Sequence, residues 1–225
     1  MSVFDGVNKV TDWLDERIGY RAIVRQELTE KPAPRHLSFM DAIGCLGGLS
    51  LVLFIIQVIT GAFLMMFYVP HVDKAFESID AIDSGVAFGW FLRRIHIVAA
   101  SMMVVTVTLH MIKVWLTGAY KPPRELHWVS GFVLLLFTLA LAFTGYLLPW
   151  TQLAFWAATV VANALEVIPF VGETLAELMR GGDSIAQPTL IRFYAFHVAV
   201  IPGVMVLFLL GHFWMIRRTG IAEPL

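Results

Sequence analysis

Cys45 is the only cysteine in a chain of 225 residues. One thiol cannot close an internal disulfide, nor can it build a four-thiolate metal site. Charge is also scarce, at 15% of residues, where a soluble domain carries about 25%. Neither sign dominates: 16 Lys and Arg face 17 Asp and Glu, so the basic surface of a nucleic-acid binder is absent. Apolar residues fill the gap at 58%, against about 45–50% in an ordinary globule. A water-soluble domain, a disordered chain and a low-complexity scaffold are all excluded.

The apolar residues fall in four stretches without Asp, Glu, Lys or Arg: Ala42–Val72, Ile95–Ile112, Leu126–Leu165 and Phe193–Ile216. A bilayer core of about 30 Å takes about 20 helical residues, so each stretch is long enough to cross. Pro149 divides the third. Leu126–Leu148 remains as a full span, and Trp150–Leu165, shorter and holding Thr151, Gln152, Thr159 and Asn163, reads as a helix at the interface. Glu173–Arg180 reads as a second short helix in the same long connection. The expected fold is therefore an all-α transmembrane four-helix bundle, with spans at about 42–70, 91–116, 126–148 and 191–216. Residues 1–40 form a separate amphipathic segment. Val3, Val7, Val10, Leu14 and Ile18 recur there at helical spacing, which fits a helix on the membrane surface or one packed on a partner subunit.

Basic residues set the orientation. Eleven lie in the N-terminal segment, the loop between spans two and three, and the C-terminal tail, and five lie on the other side. Both termini are thus expected on the negative, cytoplasm-like side of an integral, multi-pass membrane protein. Trp90, Trp115, Trp128, Trp150 and Trp214 sit near span ends, where amphipathic rings settle against lipid headgroups.

Ionisable side chains within a bilayer read as functional. Of seven histidines, His36, His71 and His127 fall near span ends and read as interfacial. His96 and His110 lie within span two, 14 residues apart, and His197 and His212 within span four, 15 apart. At about 100° and 1.5 Å per residue, the first pair departs from one face by about 40° over about 21 Å, and the second by about 60° over about 22 Å. Pro202 lies between the second pair and can absorb the extra residue by a kink. Both spans run from the positive to the negative side, so His96 shares a depth with His197, and His110 with His212. Each layer offers two imidazoles facing across a bundle, the axial set of a porphyrin iron. Zinc would need further ligands, and no nearby carboxylate or thiolate completes such a set. Two axial histidines leave no open position on iron, which makes the expected chemistry electron transfer. Gly47 and Gly61 on span one, and Gly131 and Gly145 on span three, repeat the 14-residue period. They read as clearance for a flat ring, with small-residue helix packing as the other reading.

These residues resemble the cytochrome b6 family, short b-type cytochromes that correspond to the N-terminal half of the longer cytochrome b. The matching strings run from about Tyr20 to Leu225. They include Cys45-Leu46-Gly47-Gly48, Thr60-Gly61, Phe88-Gly89-Trp90, Pro123-Arg124-Glu125-Leu126, Thr144-Gly145-Tyr146, Leu148-Pro149-Trp150, Arg192-Phe193-Tyr194 and His212-Phe213.

The resemblance implies two b hemes, ligated by His96 with His197 near the positive side and by His110 with His212 near the negative side. It implies propionate contacts from Arg93, Arg124 and Arg217. It also implies an extra c-type heme held by one thioether at Cys45. A quinol pocket is expected near Pro149, Trp150 and Gln152. The implied function is that of a subunit of a quinol:electron-acceptor oxidoreductase, inactive alone, which carries electrons from a quinol-oxidation site to a quinone-reduction site and contributes to the proton gradient. The implied partners are a subunit IV-like membrane protein, a Rieske iron–sulfur protein, a c-type cytochrome, quinol and quinone, and lipid, in a dimeric complex without nucleic acid. The bacterial cytoplasmic membrane is the expected location, with the thylakoid as the alternative.

Departures are visible. The family string Pro-Trp-Asp-Gln reads Pro149-Trp150-Thr151-Gln152 here, Ile97 follows the first histidine where plant-type members have arginine, and Lys113 replaces another common arginine. Two other readings stand beside this one: a diheme membrane anchor of a hydrogenase or formate dehydrogenase, and a histidine-lined metal or proton transporter.

Overall fold

The computed structural model describes residues 46–220 together with Lys9, Thr11, Asp12, Asp15 and Arg21. Those five N-terminal residues are helical, and Arg21 Nη1 pairs with Asp12 Oδ1 at 2.7 Å. The rest of the expected surface segment lies outside the described residues, as does Cys45.

The described residues are helical throughout, with no strand among them. Helix α1 spans Leu46–Met65, α2 Ala75–Gly85, α3 Gly89–Leu116, α4 Glu125–Leu147, α5 Gln152–Glu166 and α6 Gly172–Arg180. The last, α7, runs over Gln187–Thr219, with a π-helical turn at Phe196–Val200. Four of these, α1, α3, α4 and α7, are long and apolar enough to cross a membrane. Many of their large apolar side chains, such as Ile59, Val105, Leu136 and Leu207, face outward. In water that would be unstable, whereas in hydrocarbon it is the expected solvent face. The chain is an integral, multi-pass membrane protein.

Helix α1 packs along α3, α3 along α4, and α4 along α7. Without a hydrophobic drive inside lipid, such contacts rest on close fit and on internally satisfied polar groups. The centre of the bundle is a dry cluster of Leu53, Phe54, Ala99, Met103, Leu134 and Met205. Buried hydroxyls at that level bond within the protein: Thr138 donates to Leu134 O at 2.9 Å, Thr106 to Met103 O at 3.1 Å, and Ser50 to Leu46 O at 2.8 Å.

The connections beyond the spans pack too. Helix α2 was not expected from the sequence, because its charges hide its small apolar face. Arg93 forks onto Asp83, with Nε at 2.6 Å from Oδ1 and Nη2 on Oδ2, which ties α2 to α3 and holds the Asp83 carboxyl below its usual range. Helices α5 and α6 form the long third connection. Ala154 and Ala158 of α5 bury against Leu147, Phe193 and Met179. Gln187 joins the start of α7 to the turn after α1: its Nε2 donates to Pro70 O at 2.9 Å, and Val72 N–H donates to its Oε1 at 2.8 Å. Tyr68 donates to Leu148 O at 2.6 Å and stacks on Tyr194 at 5.5 Å. Burial, with Tyr194 beside it, pushes the Tyr68 phenol above its usual range.

Candidate functional site

The π turn decides how the second pair of histidines is aimed. Pro202 has no N–H for the carbonyl of Val198, so the α-helical ladder cannot continue through it. The backbone widens instead, and Ile201 N–H donates to Phe196 O, five residues back. A π turn takes up one extra residue. The 15 residues from His197 to His212 then act as about 14, which removes most of the difference in angle from the His96–His110 pair. The sequence reading assigned this to a proline kink. Proline is the cause, but the device is a change of helical winding around His197.

The two layers follow. His96 and His197 meet with ring centroids 6.3 Å apart and planes at 74°. Metal–imidazole bonds of about 2 Å on both sides of one ion put ring centroids on the order of 6 Å apart, so this spacing has room for one shared ion. His110 and His212 lie at the other level, His110 against Gly47 of α1 and His212 against Gly131 of α4, which Met111, the neighbour of His110, also approaches. There His127 also approaches His212, at 6.4 Å between ring centroids, and its Nε2 lies 3.0 Å from Thr219 Oγ1. The sequence reading treated His127 as merely interfacial. The dry central cluster separates the two levels.

The four glycines turn out to face imidazoles. A Cβ at Gly61 would lie 3.3 Å from His96 Cε1, and one at Gly47 would lie 3.2 Å from His110 Cε1. At Gly145 it would lie 2.7 Å from His197 Cε1, and at Gly131 3.5 Å from His212 Cε1. The shared 14-residue period thus pairs each glycine with one histidine across an antiparallel helix contact: α1 against α3, and α4 against α7.

A second set of residues was missed from the sequence. Thr60 Oγ1 lies 2.8 Å from His96 Nδ1, Ser130 Oγ 2.8 Å from His212 Nδ1, and Thr144 Oγ1 3.0 Å from His197 Nδ1. Gln57 Nε2 donates to His96 O at 2.8 Å. The available signal was a hydroxyl immediately before three of the four glycines. Before Gly47 stands Leu46, and among the described residues His110 Nδ1 is buried without a hydrogen-bond partner.

The remaining expected residues are scattered. Arg93 is committed to Asp83. Arg124 sits at the start of α4, its Nε buried and without a hydrogen-bond partner among the described residues, and Arg217 lies in the last turn of α7. Pro149 and Trp150 form the break between α4 and α5, where Trp150 takes a left-handed backbone (φ 51°). Gln152 begins α5, capped by Thr151, whose hydroxyl accepts from Ala154 N–H at 3.3 Å. Thr151, where the family string has aspartate, thus serves as the N-cap of α5. Among the described residues no three of His, Cys, Asp and Glu converge to hold a bare metal ion.

Fold and site together define a membrane-spanning helical bundle that gathers histidines at two levels, His96 with His197 at one and His110, His127 and His212 at the other. The family model described as Cytochrome b/b6/petB matches residues 28–220, and the chain belongs to the cytochrome b/b6 family. It is 46% identical over 219 residues to cytochrome b6 of Synechococcus elongatus and equally to that of Acaryochloris marina, covering 97% of this chain and 100% of each relative. A chain of a solved hyperthermophilic respiratory Complex III superimposes with a TM-score of 0.81 at 34% identity, over 95% of this chain. This chain spans 56% of that longer one.

Proposed function

We propose that the chain is the two-heme electron conductor of a quinol-oxidising membrane complex. The observation that carries this reading is the pair of imidazole layers, each faced by its own glycines and separated by a dry apolar cluster. The donor chemistry fits heme: each level offers at least two imidazoles, and Arg124 Nε, buried without a hydrogen-bond partner among the described residues, is a ready donor for a propionate. His96 with His197, and His110 with His212, would hold the two hemes through their Nε2 atoms. When bound, heme would supply one-electron redox chemistry. The chain's own contribution is to aim the imidazoles, exclude water and keep the two levels apart.

In this reading the positive side is the His96–His197 level, and both termini lie on the negative side. Quinol is oxidised near Pro149, Trp150 and Gln152. One electron passes to a Rieske iron–sulfur partner and on to a c-type cytochrome, and the other crosses this chain to a quinone on the negative side. Proton release at one face and uptake at the other add to the gradient. A subunit IV-like membrane partner supplies the remainder of the quinol pocket, which is supported by the chain's 56% coverage of its longer structural neighbour. The complex is a dimer in the bacterial cytoplasmic membrane. A c-type heme on a single thioether at Cys45 belongs to the same reading. So do propionate contacts from Arg93 and Arg217, the former only if Arg93 leaves Asp83.

The test is purification of the intact complex with reduced-minus-oxidised spectra. Two b-type components and a Rieske-type subunit are expected. Replacing His212 with Leu should remove one component and spare the other. Retention of both components in His212→Leu contradicts the pairing, and a preparation lacking any Rieske-type subunit contradicts the complex.

A further inference from the structure

The geometry points to Thr60, Thr144 and Ser130 as positioning residues that fix the ring tautomer of three of the four heme-ligating histidines, leaving His110 as the one ligand without such an anchor. This rests on the heme reading above and adds to it which protein groups tune the two sites.

A hydroxyl has one proton to donate and lone pairs to accept. Thr60 Oγ1 lies 2.6 Å from Ile56 O, Thr144 Oγ1 2.8 Å from Ala140 O, and Ser130 Oγ 3.0 Å from His127 O. A carbonyl oxygen can only accept, so each hydroxyl proton is already committed to the helix backbone. Towards the imidazole each hydroxyl therefore offers only a lone pair. At 2.8, 3.0 and 2.8 Å from Nδ1 of His96, His197 and His212, that lone pair requires an N–H at Nδ1. In neutral imidazole a proton on Nδ1 leaves Nε2 bare, and Nε2 is then the atom free to bind iron. The helix backbone thus selects the ligating nitrogen through a one-hydroxyl relay. The same contact fixes the plane of each ring.

His110 lacks this arrangement. Its glycine, Gly47, faces the ring as the other three glycines do, but the preceding residue is Leu46, and His110 Nδ1 is buried with no hydrogen-bond partner among the described residues. The His96–His197 level carries two anchored ligands and the His110–His212 level one. An acceptor on Nδ1–H makes the opposite nitrogen a stronger electron donor and favours ferric over ferrous iron. Its absence at His110 therefore raises the potential of that level relative to the other. Electron transfer from the His96–His197 level to the His110–His212 level is favoured by the same asymmetry.

The experiment is a redox titration of the intact complex, with the two b-type components assigned by the one that His212→Leu removes. Thr144→Val should raise the midpoint of the His96–His197 component. A change of about tenfold in its oxidised-to-reduced ratio corresponds to about 59 mV for a one-electron couple. The other component should be unmoved. Thr144→Ser keeps the hydroxyl and should restore the wild-type potential. Leu46→Thr supplies the missing hydroxyl and should lower the His110–His212 component alone. Unmoved potentials in both Thr144→Val and Leu46→Thr overturn the inference, as does a Thr144→Ser shift equal to that of Thr144→Val. If the wild-type complex shows no b-type components, the heme reading itself fails instead. If Thr144→Val does not assemble, Leu46→Thr and Thr144→Ser carry the decision.

Discussion

Replacing Gly145 with Ala puts a methyl group 2.7 Å from His197 Cε1 and 3.3 Å from each ring nitrogen. Carbon atoms rest comfortably at about 3.5–4.0 Å, so the ring must retreat by about 1 Å. It is not free to do so, because Nδ1 is held by Thr144 at 3.0 Å and the backbone beneath it is the π turn. Overpacking of this kind costs about 1–3 kcal/mol, and losing the Thr144 contact adds about 0.5–1.5 kcal/mol. Together these weaken binding at the His96–His197 level by roughly 10- to 1000-fold. Gly131→Ala is the internal control. Its methyl would meet His212 Cε1 at 3.5 Å and Met111 Sδ at 3.6 Å, which is ordinary contact, so it should be nearly silent. The assay is heme per protein in the purified complex, with the spectrum resolved into its two components. Gly145→Ala should lose the component that His212→Leu keeps. Full occupancy of both components in Gly145→Ala, or a larger loss in Gly131→Ala, would refute the idea that these glycines exist to clear the imidazoles.

Two further outcomes are expected. Asp83 titrates below its usual range because Arg93 is bonded to it, so its stabilising contribution is complete above the unfolded value near 3.8 and disappears as pH falls through the lower folded value. Asp83→Asn should therefore cost about 0.5–1 kcal/mol at neutral pH and flatten the stability profile below about pH 4; an acid limb identical to wild type would refute this. Cys45→Ala should abolish any heme that stays with this chain on a denaturing gel, and a wild-type chain that carries no such heme would end the thioether proposal.

Much of the architecture was legible because lipid imposes it. A stretch free of charge over about 20 residues has few alternatives to a spanning helix, and the four observed spans start or end within a few residues of the charge-free limits. The short helices α5 and α6 were also legible, since Pro149 and the polar residues after it mark where the chain leaves the hydrocarbon. Helix α2 was not: Glu77, Asp80 and Asp83 make Ala75–Gly85 look like loop, and its buried Ala75 and Ile82 and its Asp83 find their partners only once the helices have packed. The histidine spacing was visible, but its mismatch of one residue between α3 and α7 could not be resolved from sequence. Whether proline produces a kink or a wider turn depends on what the neighbouring helices will accept.

The sequence by itself determined that four apolar rods cross the membrane and that two of them carry histidines about four helical turns apart, because burial in lipid and the pitch of the helix leave little freedom. Only the tertiary structure decided which glycine faces which ring, and which three hydroxyls face imidazole nitrogens while Leu46 leaves the fourth alone. Those pairings join residues 36 to 82 positions apart. They exist only once antiparallel helices have settled into register, a property of packing that no local stretch of chain contains.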